Sequence, residues 1–130
     1  MTKQEYYNLI CERVKDGTMP SYDDKRGSCV YRGITKEGKK LNCIAAIILP
    51  EGIQVQEGDF CDSPSNEEAF QRYVPAEMEL YELKDCQRVH DRWASPGHWN
   101  PKTFFSELNA LSFFQGLDFS KSKEFTDDHR

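Results

Sequence analysis

Apolar side chains recur at helical spacing near the start of the chain, where Tyr6, Tyr7, Ile10 and Val14, with Leu9 and Cys11 beside them, alternate with polar residues from Lys3 to Lys15. Positions three and four apart share one face of a helix, so this stretch is predicted to be an amphipathic first helix. Thr2 followed by Glu5 supplies a capping box, and Gly17 and Pro20 stop the helix. Ser21 to Gly27 is polar and charged and is expected to be a plain connection.

The period then shortens. Cys29-Val30-Tyr31-Arg32-Gly33-Ile34 is an extended-type run that breaks at Lys36-Glu37-Gly38-Lys39. A turn centred on Glu37-Gly38 sets Tyr31 opposite Ile44 and Ile34 opposite Leu41, which gives both faces of a β-hairpin apolar pairs. The return run, residues 43–49, is apolar on both faces. It suits a strand buried on both sides or a short buried helix beginning near Asn42; its isoleucines, its brevity and the stop at Pro50 favour the strand.

From Glu51 to Pro64 the breaks at Gly52, Gly58 and Pro64, with isolated Ile53, Val55 and Phe60, predict a loop with room for one short strand. Helical periodicity returns at Ser65, where Glu68 completes a second capping box, and the helix runs to Tyr73 before Pro75. A longer helix follows. Met78, Tyr81 or Leu83, Cys86, Val89, His90 and Trp93 form its apolar face, Glu79, Glu82, Asp85, Arg88 and Arg92 its polar one, and Ser95-Pro96-Gly97 its end. The last helix has Asn100 as N-cap, Pro101 at the first helical position and a stripe of Phe104, Leu108, Leu111 and Gln115, broadened by Phe105, Phe113 and Phe114, up to a stop at Gly116-Leu117. The polar residues 119–130 are expected to be a flexible tail on a single globular domain, residues 1–118. The fold class is therefore α+β: a small antiparallel hairpin or three-stranded sheet packed against the N-terminal helix and two or three C-terminal helices.

A length of 130 residues fits one domain with one core, and 8 Phe, 6 Tyr and 2 Trp argue against a disordered chain. No window is long and apolar enough for a membrane span, and the first residues lack the apolar stretch of a signal peptide, so a cytoplasmic location without membrane contact is expected. Cys11, Cys29, Cys43, Cys61 and Cys86 are odd in number and without CxxC spacing, which points to buried free thiols. Charge is uneven along the chain. Bases exceed acids from Asp23 to Lys40, whereas between Glu51 and Asp85 only Arg72 and Lys84 oppose a long series of acids. Such an acidic stretch serves as a solvated face or steers a basic partner.

Few residues group in a way that implies chemistry. Cys86 and His90 stand four apart on a predicted helix, the spacing of a shared metal ion or a thiol–imidazole pair, but further ligands would have to come from Cys29, Cys43, Cys61 or His98, without the spacing of a zinc motif. Ordinary packing of a buried Cys and a half-buried His beside Trp93 accounts for the pair. His90-Asp91 matches the dipeptide of metal-dependent phosphohydrolases without the other residues of that site. No nucleophile is distinguished among the cysteines, no GxGxxG or phosphate-loop motif occurs, and no catalytic residue or cofactor is assigned. The hairpin tip, with Arg32, Lys36, Lys39 and Lys40 near Tyr31, offers a basic ribbon for phosphates, although the net charge of −5 argues against a nucleic-acid partner.

Cys29-x-Tyr31-Arg32-Gly33, a Gly-bearing turn, Cys43-x-Ala45-x-x-Ile48-x-Pro50 and a later Gln87-x-x-His90-Asp91 together resemble a group of small uncharacterised proteins encoded by bacteriophages and prophages. In that group's pattern a lysine stands where this chain has Asn42, and a leucine where it has Cys86. The resemblance covers about half of the chain and implies a phage or mobile-element origin, hence a host-cell cytoplasm, without bringing an activity. The expected function is that of a non-enzymatic accessory protein that binds a host protein, inhibiting a defence or nucleic-acid-handling complex, with Glu67, Glu68, Glu79 and Glu82 as the acidic contact. The alternatives are a small metal- or thiol-dependent enzyme using Cys86 and His90 and a nucleic-acid-binding regulator using the basic tip.

Overall fold

Thr2 Oγ1 accepts from Glu5 N at 3.1 Å and Glu5 Oε1 accepts from Thr2 N at 2.8 Å, so the first helix, α1 (Lys3–Asp16), starts at the capping box that its sequence announces. The computed structural model of the chain describes residues 1–57 and 64–127. Gly17, at φ +79°, ends α1 in the left-handed conformation that lacks a steric cost only in glycine. The buried face is Tyr6, Tyr7, Ile10, Cys11 and Val14. Each tyrosine hydroxyl also secures the helix: Tyr6 donates to Ile44 O and Tyr7 to Asn109 Oδ1, both at 2.6 Å.

The connection expected between α1 and the central hairpin is itself a hairpin. β1 (Tyr22–Asp23) pairs antiparallel with β2 (Ser28–Cys29). Asp23 Oδ1 accepts from Lys25 N at 2.9 Å, Asp23 O accepts from Gly27 N at 2.8 Å, and Gly27 takes φ +67°, so the charged residues form the turn. The second hairpin joins β3 (Arg32–Ile34) to β4 (Lys40–Asn42) with Gly33 opposite Leu41 and Ile34 opposite Lys40, one residue out of the predicted register. The cause is Gly38 at φ +85°, which makes Lys36, Glu37 and Gly38 a three-residue loop, closed by Thr35 N to Lys39 O at 2.9 Å. Cys43, not Ile44, then meets Tyr31, its N–H donating to Tyr31 O at 2.9 Å.

Residues 43–49 do not form the expected strand. They turn through a 3₁₀ segment, Ala46–Ile48, with Ile47 N donating to Cys43 O and Leu49 N to Ala46 O. A strand buried on both sides would need pairing partners along both edges, and β3 offers only three residues; a helical turn satisfies its N–H groups locally. Cys43 Sγ helps by accepting from Ala46 N at 3.4 Å. Ile44 and Ala45 are completely buried.

α2 (Pro64–Tyr73) begins one residue before Ser65, with Pro64 at the first helical position. Its buried Asn66 exchanges two hydrogen bonds with Gln56, 2.8 Å to N and 2.6 Å to O, and so holds the end of the preceding loop. The predicted loop residues 58–63, Phe60 and Cys61 among them, lie outside the described residues. α3 (Leu80–Trp93) buries Leu83, Cys86, Val89 and His90, while Tyr81 is 64% exposed, so Leu83 is the inward member of that pair. α4 (Pro101–Asn109) has the expected N-cap, Asn100 Oδ1 accepting from Thr103 N, but ends before Leu111. Leu111 is extended, a 3₁₀ turn (Ser112–Phe114) follows, and Gln115 Nε2 donates to Asn109 O and Leu111 O, capping the shortened helix instead of extending its stripe. The bend drives Phe114 into the core against Tyr7, 5.6 Å between ring centroids.

The supposed flexible tail packs as far as residue 127. A 3₁₀ turn (Ser120–Ser122) leads into α5 (Lys123–Thr126); Ser122 is buried, Phe119 lies 5.2 Å from Tyr7, and Phe125 stacks on Phe105 at 5.0 Å. Two phenylalanines anchor a segment whose average composition is polar. The whole is an α+β fold of helices around the Cys43–Leu49 turn, with two small antiparallel ribbons, and among the described residues no helix is long and apolar enough to cross a membrane.

Candidate functional site

The β1–β2 hairpin and α3 face one another across a cleft of about 670 Å³. Tyr22, Arg26 and Cys29 line one wall, Lys84, Arg88 and Asp91 the other. Helical spacing organises the α3 wall: Gln87 and Asp91 are four apart, and Gln87 Nε2 donates to Asp91 Oδ1 at 2.6 Å. Gln87 Oε1 accepts from Ala45 N at 3.3 Å, so the same side chain ties the core turn to the cleft.

His90 lies behind the cleft, completely buried. Its Nε2 accepts from the backbone N–H of Ser21 at 3.1 Å. An amide N–H can only donate, so Nε2 carries the lone pair and the proton sits on Nδ1, which donates to Asp91 Oδ1 at 2.9 Å. Imidazole and carboxylate are thereby fixed in orientation, one by the hairpin and the other by its own helix.

Cys29 Sγ donates to Asp91 O at 3.9 Å, and ligating atoms of Cys29, His90 and Asp91 lie within 4.8 Å of one another, the one such group of three among the described residues. A metal ion does not fit the hydrogen bonds found there. Ligation through Nδ1 would move the proton to Nε2 and point it at the Ser21 N–H, whereas a metal-bound histidine needs an acceptor at its second nitrogen; ligation through Nε2 would displace that N–H. A thiol nucleophile fits no better. Burial, with the Asp91 carboxylate adding to it, pushes the Cys29 thiol up to about 12, and the lone pair of His90 is already taken.

The predicted partners Cys86 and His90 are both completely buried on α3. Cys86 lies beside the Tyr6 hydroxyl, and the group of three with ligating atoms close together is Cys29, His90 and Asp91. The residues of the predicted basic tip and acidic face take different roles. Arg32 is not part of an exposed tip: its guanidinium donates to Ile53 O and, at 3.0 Å, to Pro50 O, stapling β3 to the following loop. Lys39 Nζ donates to Asp16 O at 2.8 Å, at the C-terminal end of α1, where a cation complements the helix dipole. Lys36 and Lys40 are exposed. Glu67 and Glu68 are exposed on α2 and Glu79 is exposed ahead of α3, whereas Glu82 is partly buried and accepts from Glu79 N at 2.9 Å as a cap.

Electrostatically the cleft departs from the acidic chain around it. Glu57 Oε1 accepts from Tyr31 N at 2.6 Å and its Oε2 from Arg32 N at 3.3 Å, and Asp91 Oδ1 accepts from His90 and Gln87, so among the described residues of the lining both carboxylates are hydrogen-bonded within the fold. Arg26, Lys84 and Arg88 stand against them, Arg88 paired to Asp85 and Lys84 likewise engaged. Sequence reasoning passed over Arg26 and Ser21 as connection and His90-Asp91 as a chance dipeptide. The available signal was Asp23 four residues before Gly27 between two extended-type pairs, a turn pattern that makes the connection a wall. Comparison with protein-family models, curated proteins and solved structures gives no match.

Proposed function

We propose that the protein is a non-enzymatic binding module that seats a small ligand bearing a carboxylate or phosphate in the cleft between the β1–β2 hairpin and α3. The observation that carries this is the lining, where, among the described residues, Arg26, Lys84 and Arg88 border a cleft whose carboxylates, Glu57 and Asp91, are held by internal donors. Its volume of about 670 Å³ is of the size that takes small molecules, and the cations supply the charge-assisted hydrogen bonds that orient an anion. The motif positions Cys29, Tyr31, Gln87 and Asp91 all line it. A protonated thiol beside an imidazole without a free lone pair supports binding over thiol catalysis.

Titration with inorganic phosphate and with citrate, followed by thermal denaturation and by amide NMR shifts, tests the proposal. The midpoint should rise with ligand concentration, as expected for a ligand that binds only the folded state, and the shifts should map to residues 26–31 and 84–91. Arg26→Glu combined with Lys84→Glu should abolish both effects while leaving the unliganded midpoint within a few degrees. Absence of shifts in those two segments with either anion would sink the cleft as an anion site.

The capture of a host protein by an acidic contact, the accessory role expected from the sequence, is a second reading. What favours it is that Glu67, Glu68 and Glu79 are exposed and make no ion pair among the described residues. Reversing these three charges should slow association with a basic host partner and flatten its salt dependence; capture that is indifferent to the reversal removes the acidic contact.

A further inference from the structure

Two hydrogen bonds from the β1–β2 hairpin and the residue that leads into it reach α3 among the described residues: Ser21 N to His90 Nε2 at 3.1 Å, and the long contact of Cys29 Sγ with Asp91 O at 3.9 Å. The hairpin is small, with two residues in each strand, and its closing bond from Val30 N to Ser21 O measures 3.5 Å. It is anchored at its ends by Met19 and Val30, which are buried, while Asp24 to Ser28 are exposed. The cleft wall thus hangs between two apolar anchors and is fastened to α3 mainly through one imidazole nitrogen.

We propose that His90 is a proton-operated latch for the cleft. With His90 neutral, Nε2 accepts the Ser21 N–H and holds the hairpin wall against α3. Protonation places a hydrogen on Nε2, so that two donors face each other, the Ser21 bond is lost and the wall carrying Arg26 and Cys29 swings from the α3 wall. The proton arrives from solvent and forms an N–H bond at Nε2; no other covalent bond changes. Regulation of ligand binding by this latch rests on the cleft being the binding site, but the opening itself does not.

The groups around the imidazole set the sense of the response. Asp91, on the same helix, accepts Nδ1–H. From the hairpin come the Cys29 thiol and the Ser21 N–H, and from the core turn the Cys43 thiol, which lies near enough to Asp91 to sense its charge. Both thiols are neutral at ordinary pH, their protons held by burial. The nearest fixed charge is therefore the Asp91 carboxylate. It accepts from the ring on one side while the Ser21 amide faces the ring on the other, so that a proton on Nε2 sets two donors against each other.

The experiment is ¹⁵N NMR of the His90 ring together with hydrogen exchange at the Ser21 amide, followed from neutral to mildly acidic pH on the full chain and corrected for intrinsic exchange. The Nδ1–H tautomer is expected at neutral pH. As the ring titrates, Ser21 protection should fall at least tenfold with the same midpoint, while the Cys43 amide, bonded to Tyr31 O, keeps its protection. Asp91→Asn should move both midpoints to lower pH together. A ring that stays neutral until the chain unfolds, a titration that leaves Ser21 protection level, or an Nε2–H tautomer at neutral pH would each overturn the latch. Phosphate and citrate titrations at neutral pH separate the two ideas: opening without anion binding defeats the cleft as an anion site and keeps the latch, and anion binding without opening does the reverse.

Discussion

At the scale of single residues, Ser21 uses its polar groups unequally. Its N–H is bonded to His90, whereas its hydroxyl is completely buried and has no partner among the described residues. A buried hydroxyl without a hydrogen bond keeps the cost of its desolvation, so Ser21→Ala should raise stability by about 1 kcal/mol in urea denaturation, with the slope unchanged and the backbone bond to His90 intact. A loss of stability would mean that the hydroxyl has a partner. How His90 itself is used was only half legible. Spacing along α3 placed it on the inward face, where it is; the partner that fixes its tautomer stands 69 residues away, and no local pattern could announce a backbone amide at that distance.

Elements were legible where their ends carry local chemistry. Thr2 with Glu5 and Asn100 with Pro101 start their helices where the side chains can reach the first free N–H groups, and both starts are found. Ends decided by packing were not legible. The run after α4 keeps a helical pattern on paper but bends at Leu111, because Phe114 gains more by entering the core beside Tyr7 than by continuing a half-exposed stripe. The C-terminal segment makes the same point, since Phe125 on Phe105 holds α5 in place. Phe125→Ala should cost about 2 kcal/mol and raise hydrogen exchange throughout residues 120–127; a change confined to the mutated side chain would show that α5 is held by something else.

For the molecule as a whole, the thiols set a pH limit. Burial leads the causes that push Cys11, Cys29 and Cys43 from about 9 up to about 12. The sign follows from proton counts. Between those values the unfolded chain loses thiol protons that the folded chain keeps, so the stability present below about pH 9 is lost progressively as the pH rises towards 12. Denaturation midpoints should fall over that window, and Cys43→Ser should make the fall shallower even though it lowers stability near neutrality. An equal alkaline slope in the variant would exclude Cys43 as a source.

The cleft also belongs to this scale, because its walls come from segments that are remote in sequence. The chain alone determined that there would be an amphipathic first helix, a β3–β4 hairpin, helices on either side of Pro75 and Pro96, and buried thiols at Cys11, Cys43 and Cys86, with Cys29 only partly buried, because helix spacing, caps, turn residues and apolar periodicity act over a few neighbours. Tertiary structure decided that residues 43–49 turn instead of extending, since buried backbone groups must find partners and β3 could supply so few. It decided too that Arg32 and Lys39 serve the fold and that Ser21, Cys29, His90 and Asp91 meet. Those outcomes depend on which donors and acceptors distant segments bring together, and only the packed core, with α1 tied to Ile44 and Asn109, fixes that.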